Sequence, residues 1–233
     1  SDLSRSFYQD ACHGHAIVYA DEISNRKFQP YITYPQGNFA SPVFHGERPD
    51  PMPHYEMTGN PVSIAFSEQS PPVKMRSFKL YQDTKEIKDV KILDKDNDPN
   101  HLLTDRQFAL FPLQPLEYDT DYRAVFEYRQ NGKNRTAEWT FSTQKPDYPY
   151  FIVKGGETLA IESGQKYFIH WQDFWCLKQC ERYNYRMNRD TQLDIIERQA
   201  GGIIIRVNGS KGSSIRLMPE GEDRRAITLY LWK

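Results

Sequence analysis

Oxygen-bearing side chains fall at alternate positions in Asp94-Lys-Asp-Asn-Asp-Pro-Asn100, and Asp105 takes the twelfth place of a loop counted from Asp94. That spacing suits a hard cation, because calcium loops draw oxygens from every second residue. Asp94, Asp96 and Asp98 are therefore candidate calcium ligands. Against this, Pro99 stands at the sixth position, where such a loop turns on glycine, and the twelfth residue is not the usual Glu. The run reads equally as a solvated Asx turn. Cys12-His13-Gly14-His15 would place two imidazoles on one strand face, which suits Zn²⁺ or Cu²⁺. A second paired ligand set is missing, with only His45, His54, His101 and His170 left over. Cys176-Leu-Lys-Gln-Cys180 is short enough for a disulfide in an oxidising compartment if the backbone is irregular there, and serves equally as two reduced thiols. Glu47, Asp50, Glu56 and Glu68 offer carboxylates, but nothing fixes the separation that glycoside hydrolysis needs. The chain contains neither a Gly-x-Ser-x-Gly motif nor a phosphate loop.

The richest stretch for recognition runs from Trp171 to Arg186. Trp171, Phe174, Trp175, Arg182, Tyr183 and Tyr185 alternate with polar residues there. Trp, Tyr and Arg dominate binding surfaces, so an exposed set of this kind would stack on sugar rings or anchor a protein partner. The competing reading is that the rings pack beneath the segment as its own small core.

The surrounding chain must hold these groups in place. It has 233 residues, room for one large or two small domains. Hydrophobic residues make up only 38%, yet aromatics reach 14%, so rings rather than aliphatic layers must build much of the core. Thirty basic residues nearly cancel thirty-one acidic ones, which argues against a nucleic-acid partner. No apolar run approaches the length of a membrane span. The chain opens on Ser1 rather than Met, so we expect a processed or trimmed polypeptide with room upstream for a signal, an anchor or a domain.

Residues 1–60 read as a lead-in that becomes proline-dense from Pro35, an extended wrapping segment whose aromatics (Tyr34, Phe39, Phe44, Tyr55) need a surface to pack on. From 61 to 145 the pattern is that of an Ig-like β-sandwich. Strands are expected at 62–66, 73–81, 88–93, 107–112, 122–128 and 138–143, with a slip in the second that fits a bulge. Asn131-Gly132 marks a hairpin turn. Leu116-Glu-Tyr-Asp-Thr-Asp-Tyr122 has the spacing of a tyrosine corner, in which the phenol bonds back to upstream backbone. Lys145-Pro-Asp-Tyr-Pro149 reads as a boundary. Residues 146–233 are expected to form a second small β domain with strands at 157–162, 166–171, 202–208, 213–218 and 225–232. Its insertion, 171–199, is expected to be irregular and partly helical near Thr191–Gln199. The fold class is thus mainly β.

The run Tyr34-Pro-Gln-Gly-Asn-Phe-Ala-Ser-Pro-Val-Phe-His-Gly-Glu-Arg-Pro-Asp-Pro51 resembles the segment that follows the CAP (cysteine-rich secretory protein) domain in bacterial surface proteins. So do Gly59-Asn-Pro-Val-Ser-Ile64, Phe108-Ala-Leu-Phe-Pro112 and Trp139-Thr-Phe-Ser-Thr143. The resemblance covers about residues 34–143 and implies a secreted or envelope protein with an accessory, non-catalytic role. It does not bring the CAP site, which needs His and Glu on an α-β-α sandwich that this chain does not encode. The last ninety or so residues resemble no family.

The expectation is therefore a binding module of an extracytoplasmic bacterial protein. It would present an aromatic surface to a wall polysaccharide or a protein partner, without a cofactor unless calcium binds. The alternative is a hydrolase whose site lies between the two domains and uses carboxylates or His170.

Overall fold

The computed structural model describes residues 30–175, 182–187 and 190–233. The chain divides into two compact units at Lys145 and Pro146. The strands of the first are β1 (Tyr31–Tyr34), β2 (Gly37–Ala40), β3 (Val43–Phe44), β4 (Thr58–Gly59), β5 (Val62–Phe66), β6 (Lys74–Gln82), β7 (Lys85–Glu86), β8 (Val90–Leu93), β9 (Gln107–Pro112), β10 (Asp121–Gln130) and β11 (Lys133–Thr143). They form two main sheets, ordered β1-β5-β9-β8 and β2-β11-β10-β6-β7, and a small β3-β4 ribbon. This is the strand order of an Ig-like sandwich, with β2 running parallel to the last strand, β11.

Period-two alternation explains the main strands. In β10, Tyr122, Ala124, Phe126 and Tyr128 point inward while their neighbours face solvent. Phe126 meets Phe78 edge-on at 5.1 Å, and Val62, Ile64 and Leu110 close the core around them. The expected slip in β6 is a bulge. Glu127 pairs with Ser77 and Tyr128 with Met75, so Arg76 is the extra residue. Asn131 and Gly132 both take positive φ, as a tight hairpin turn requires. The proline-flanked strands β1 and β2 lie at sheet edges, where a missing amide donor is tolerated.

β9 is buried on both faces. Phe108 and Leu110 enter the main core, whereas Ala109 and Phe111 join Phe44, Met52, Leu93 and Leu103 in a second cluster. The proline-rich segment supplies that cover, with Phe44 against Phe111 at 5.3 Å. Tyr55 from the same segment stays exposed.

The second unit contains β12 (Tyr150–Val153), β13 (Thr158–Ile161), β14 (Lys166–Trp171), β15 (Tyr183–Met187), β16 (Thr191–Gln199), β17 (Gly202–Gly209), β18 (Ser214–Pro219) and β19 (Ile227–Leu231). Its sheets run β12-β14-β17-β16 and β13-β19-β18-β15, the order of the first unit without the short strand equivalent to β7. One pairing differs: β12 is parallel to β14, whereas β1 is antiparallel to β5. Trp171, Ile203, Ile205, Leu217 and Leu229 form the centre of its core.

The expected helix near Thr191–Gln199 is a strand instead. Ile195 pairs with Ile205 and Glu197 with Ile204, leaving Ile196 as an extra, exposed residue. This bulge breaks the apolar alternation after Leu193 and Ile195, which is why the segment lacks a strand period in the sequence.

Candidate functional site

The recognition stretch splits between core and surface. β14 carries Trp171 into the middle of the second unit, fully buried, with its indole N–H donating to the Arg225 carbonyl at 2.8 Å. Tyr183, at the start of β15, packs on Trp171 at 5.6 Å and is also buried. Trp171 is thus a core residue rather than part of a presented surface, because inward positions on β14 face the opposing sheet. Phe174 is half-buried, and the Arg225 guanidinium lies over its ring at 4.9 Å. Trp175 leans on His170 at 4.8 Å. A side chain at Gly201 would meet the Trp175 ring at 2.6 Å, so glycine there admits the indole.

The exposed members are Arg182 and Tyr185, the latter 45% accessible. They do not stand alone. β15 and β16 are edge strands of opposite sheets, and a concavity of about 420 Å³ lies along them. Arg182, Tyr183, Asn184, Tyr185 and Glu220 line one side, and Leu193, Ile195 and Arg198 the other. Tyr185 shares the inward parity of Tyr183 but stays exposed at the rim. Burial pushes the Tyr183 phenol up to about 12, with the Arg198 charge pulling the other way. The groove therefore offers aromatic edges, apolar Leu193 and Ile195, two guanidiniums and one carboxylate. The sequence does not mark Leu193, Ile195 and Arg198, which fall in the segment expected to be partly helical, nor Glu220, which falls between the strands expected at 213–218 and 225–232.

His170 is fully buried, with Nδ1 2.8 Å from the Gly201 carbonyl oxygen. Asp94, Asp96 and Asp98 sit in the turn after β8. The Asp94 carboxylate accepts from the Asp96 and Asn97 amides at 3.0 and 3.3 Å. Asp98 is buried, and its carboxylate accepts from the Asn100, Leu102 and Leu103 amides at 3.0, 2.8 and 2.9 Å. These oxygens are turned to backbone N–H groups, and the Asn100 amide ties the turn to the proline-rich segment through the Asp50 carbonyl at 2.8 Å. Among the described residues no group of three or more His, Cys, Asp or Glu converges as a metal site would. Cys12, His13, His15, Cys176 and Cys180 lie outside the described residues.

The tyrosine corner is present. The Tyr122 hydroxyl accepts from the Glu117 amide at 2.9 Å, at the entry to β10. Burial pushes its phenol up to about 12. A second pin of identical spacing was missed: the Tyr167 hydroxyl accepts from the Glu162 amide at 3.0 Å, at the entry to β14. Its signal was available, since Ile161-Glu-(x)₄-Tyr167 repeats Leu116-Glu-(x)₄-Tyr122.

Both units are thus Ig-like sandwiches, and the class defined is that of tandem β-sandwich modules. No family model matches the chain, and no curated protein matches it. Among solved structures, domains 4 and 5 of the S-layer protein SbsC are similar at 13% identity, covering 69% of this chain and all of that one, with a TM-score of 0.24. A tandem of titin Ig domains is similar at 10% identity, covering 73% of this chain and 87% of that one, with a TM-score of 0.23. A three-domain I-band fragment of titin reaches 8% identity over 88% of this chain and 66% of its own length, with a TM-score of 0.24.

Proposed function

We propose that the chain is a non-catalytic binding module of a secreted or cell-envelope bacterial protein, and that the β15–β16 groove receives a wall polymer. The observation that carries this reading is the groove itself, where Tyr185 and Arg182 stay exposed beside Leu193 and Ile195. Edge strands of two sheets leave the mouth of the sandwich open to an extended ligand. Rings with adjacent guanidiniums suit sugar stacking combined with polar anchoring. A place downstream of a CAP domain extends this reading on the strength of the Tyr34–Pro51 resemblance, and a CAP domain encoded immediately upstream in the gene would support it.

Cosedimentation of the whole chain with protein-free cell-wall sacculi tests the binding. The expected result is retention of the wild type and a loss of about fivefold or more in Tyr185→Ala and Arg182→Ala, the scale of a truncated anchor residue. Retention unchanged in both variants, or no retention of the wild type, overturns the proposal.

A further inference from the structure

The solvent face of the sheet β13-β19-β18-β15 carries a second feature, which adjoins the groove only at Asn184. Ile215 and Leu217 of β18 and Ile227 and Leu229 of β19 point into the core, so Arg216 and Thr228 point outward. The register aligns Arg186, Arg216, Thr228 and Thr158 in one row across all four strands. Arg186 and Arg216 are therefore direct cross-strand partners, and both are exposed. Side chains so paired stand roughly 5 Å apart at Cβ, and like charges there cost stability.

No described acid in the same or the adjacent rows offsets that cost. Neither the row nor the flanking pairs Asn184–Met218 and Ser214–Tyr230 contains a carboxylate. Glu157, the residue before β13, accepts from the Lys154 and Gly155 amides at 2.8 Å each. Among the described residues no ion pair or hydrogen bond engages either guanidinium. Beside the pair, Tyr230 stands on the same face, 39% exposed, opposite Ser214 and Ala160.

We propose that this face binds a carboxylated polysaccharide. The Arg186–Arg216 pair holds a uronate carboxylate, and Tyr230 stacks on a neighbouring pyranose ring. Two guanidinium forks side by side match one planar carboxylate better than either matches water. Threonine and serine hydroxyls in the same rows meet ring hydroxyls. A protein partner fits less well, because protein interfaces need a desolvated apolar centre and this face offers one exposed ring among polar side chains. The site stands whether or not the groove binds anything.

The test is titration of the whole chain with polygalacturonate, its carboxyl-reduced neutral form and polyglutamate. Wild type is expected to bind polygalacturonate, to lose that binding with the reduced polymer, and to bind polyglutamate more weakly. Arg186→Ala and Arg216→Ala are each expected to weaken binding by about tenfold, the scale of a lost charge-assisted hydrogen bond. Tyr230→Ala should weaken it severalfold without changing its salt dependence, whereas each arginine variant should flatten that dependence. Unchanged circular dichroism of these surface variants separates lost binding from lost fold. Tyr185→Ala, in the groove, should leave this titration unchanged. Equal affinity for polyglutamate with indifference to Tyr230→Ala, or binding that survives loss of both arginines, overturns the proposal. A loss confined to Tyr185→Ala overturns it too while leaving the groove reading intact.

Discussion

On the outer face of the first unit's five-stranded sheet, charged side chains meet partners across the strands. Arg123 lies over the Tyr81 ring at 4.5 Å and pairs with Glu138 at 3.5 Å. Lys79 pairs with Glu86 at 3.7 Å, and the Ser77 hydroxyl donates to Glu127 at 2.7 Å. The equivalent face of the second unit sets Arg186 against Arg216 instead. The strand order is shared, so the difference lies wholly in which residues the register brings opposite each other. A face whose charges satisfy one another gains a few tenths of a kcal/mol per pair and has little left to offer a ligand. A face with two free guanidiniums gives up that gain and keeps its hydrogen-bonding capacity for something else. On the proposed reading the labour is divided, with the first unit serving as a scaffold and the second as a receptor.

The largest difference between the units should appear in alkali. Burial pushes Tyr118 and Tyr122 of the first unit up to about 12, and Tyr183 of the second to about 12. A phenol whose folded pKa exceeds its unfolded value, near 10, holds its proton more tightly when folded. Its contribution is complete below about pH 10 and is lost as pH rises towards 12. A rise of that size corresponds to roughly 2–3 kcal/mol for each phenol. Burial raises the Tyr128 phenol of the first unit as well, so that unit should lose at least about twice as much stability as the second over that range. Pulse proteolysis in urea with an alkaline protease, with the fragments of each unit identified by mass, reads both losses. Equal losses would break the comparison.

Asp98→Ala comes next. It removes the partner of the part-buried Asn100 and Leu102 amides and of the buried Leu103 amide, and loosens the cover that the proline-rich segment lays over Phe111. The cost should be about 2–3 kcal/mol, confined to the first unit, because the buried Leu103 donor loses its partner outright while the part-buried amides regain water in part. Asp94→Ala, whose carboxylate serves two exposed amides, should cost about 1 kcal/mol or less. Chemical denaturation of the two variants side by side would expose an error in this ranking.

The two tyrosine pins allow a closer match. Tyr122→Phe and Tyr167→Phe each remove one hydroxyl that accepts a backbone amide, from Glu117 and from Glu162. Each should cost about 1 kcal/mol, the net worth of such a bond. Similar values would show that one local device serves two different corners: the entry to β10 in one unit and to β14 in the other. A loss at Tyr122 alone would mean that only the corner before the penultimate strand matters.

The legibility of these features in the sequence followed their range. Strands such as Val62–Phe66 and Gln107–Pro112 announce themselves because side-chain alternation and apolar runs are local. The pin at Tyr122 was readable for the same reason. Thr191–Gln199 was not, since a bulge at Ile196 shifts the pattern by one residue and erases the period. The groove and the arginine pair were hidden for a different reason. Arg186 and Arg216 are thirty residues apart in the chain, and only the β15–β18 register makes them neighbours. Even the aromatic stretch misled in part, because sequence shows that Trp171 and Tyr185 are rings but not that β14 buries one and the rim of β15 exposes the other.

The smallest expected effect separates the two outer faces most sharply, because it differs in sign. Arg123→Ala in the first unit removes a guanidinium that lies over Tyr81 and pairs with Glu138. It should destabilise that unit by about 0.5 kcal/mol. Arg216→Ala in the second unit removes one of two like charges that stand directly opposite, with no described acid to miss it. Without ligand it should stabilise by a few tenths of a kcal/mol. Raising salt screens both interactions, so both differences should shrink towards zero near 1 M, where the Debye length falls to about 3 Å. Urea denaturation at low and high salt measures all four values. A destabilising Arg216→Ala at low salt would mean that the arginine already has a structural partner. The second face would then be finished in the manner of the first, and its guanidiniums would no longer be free for a ligand.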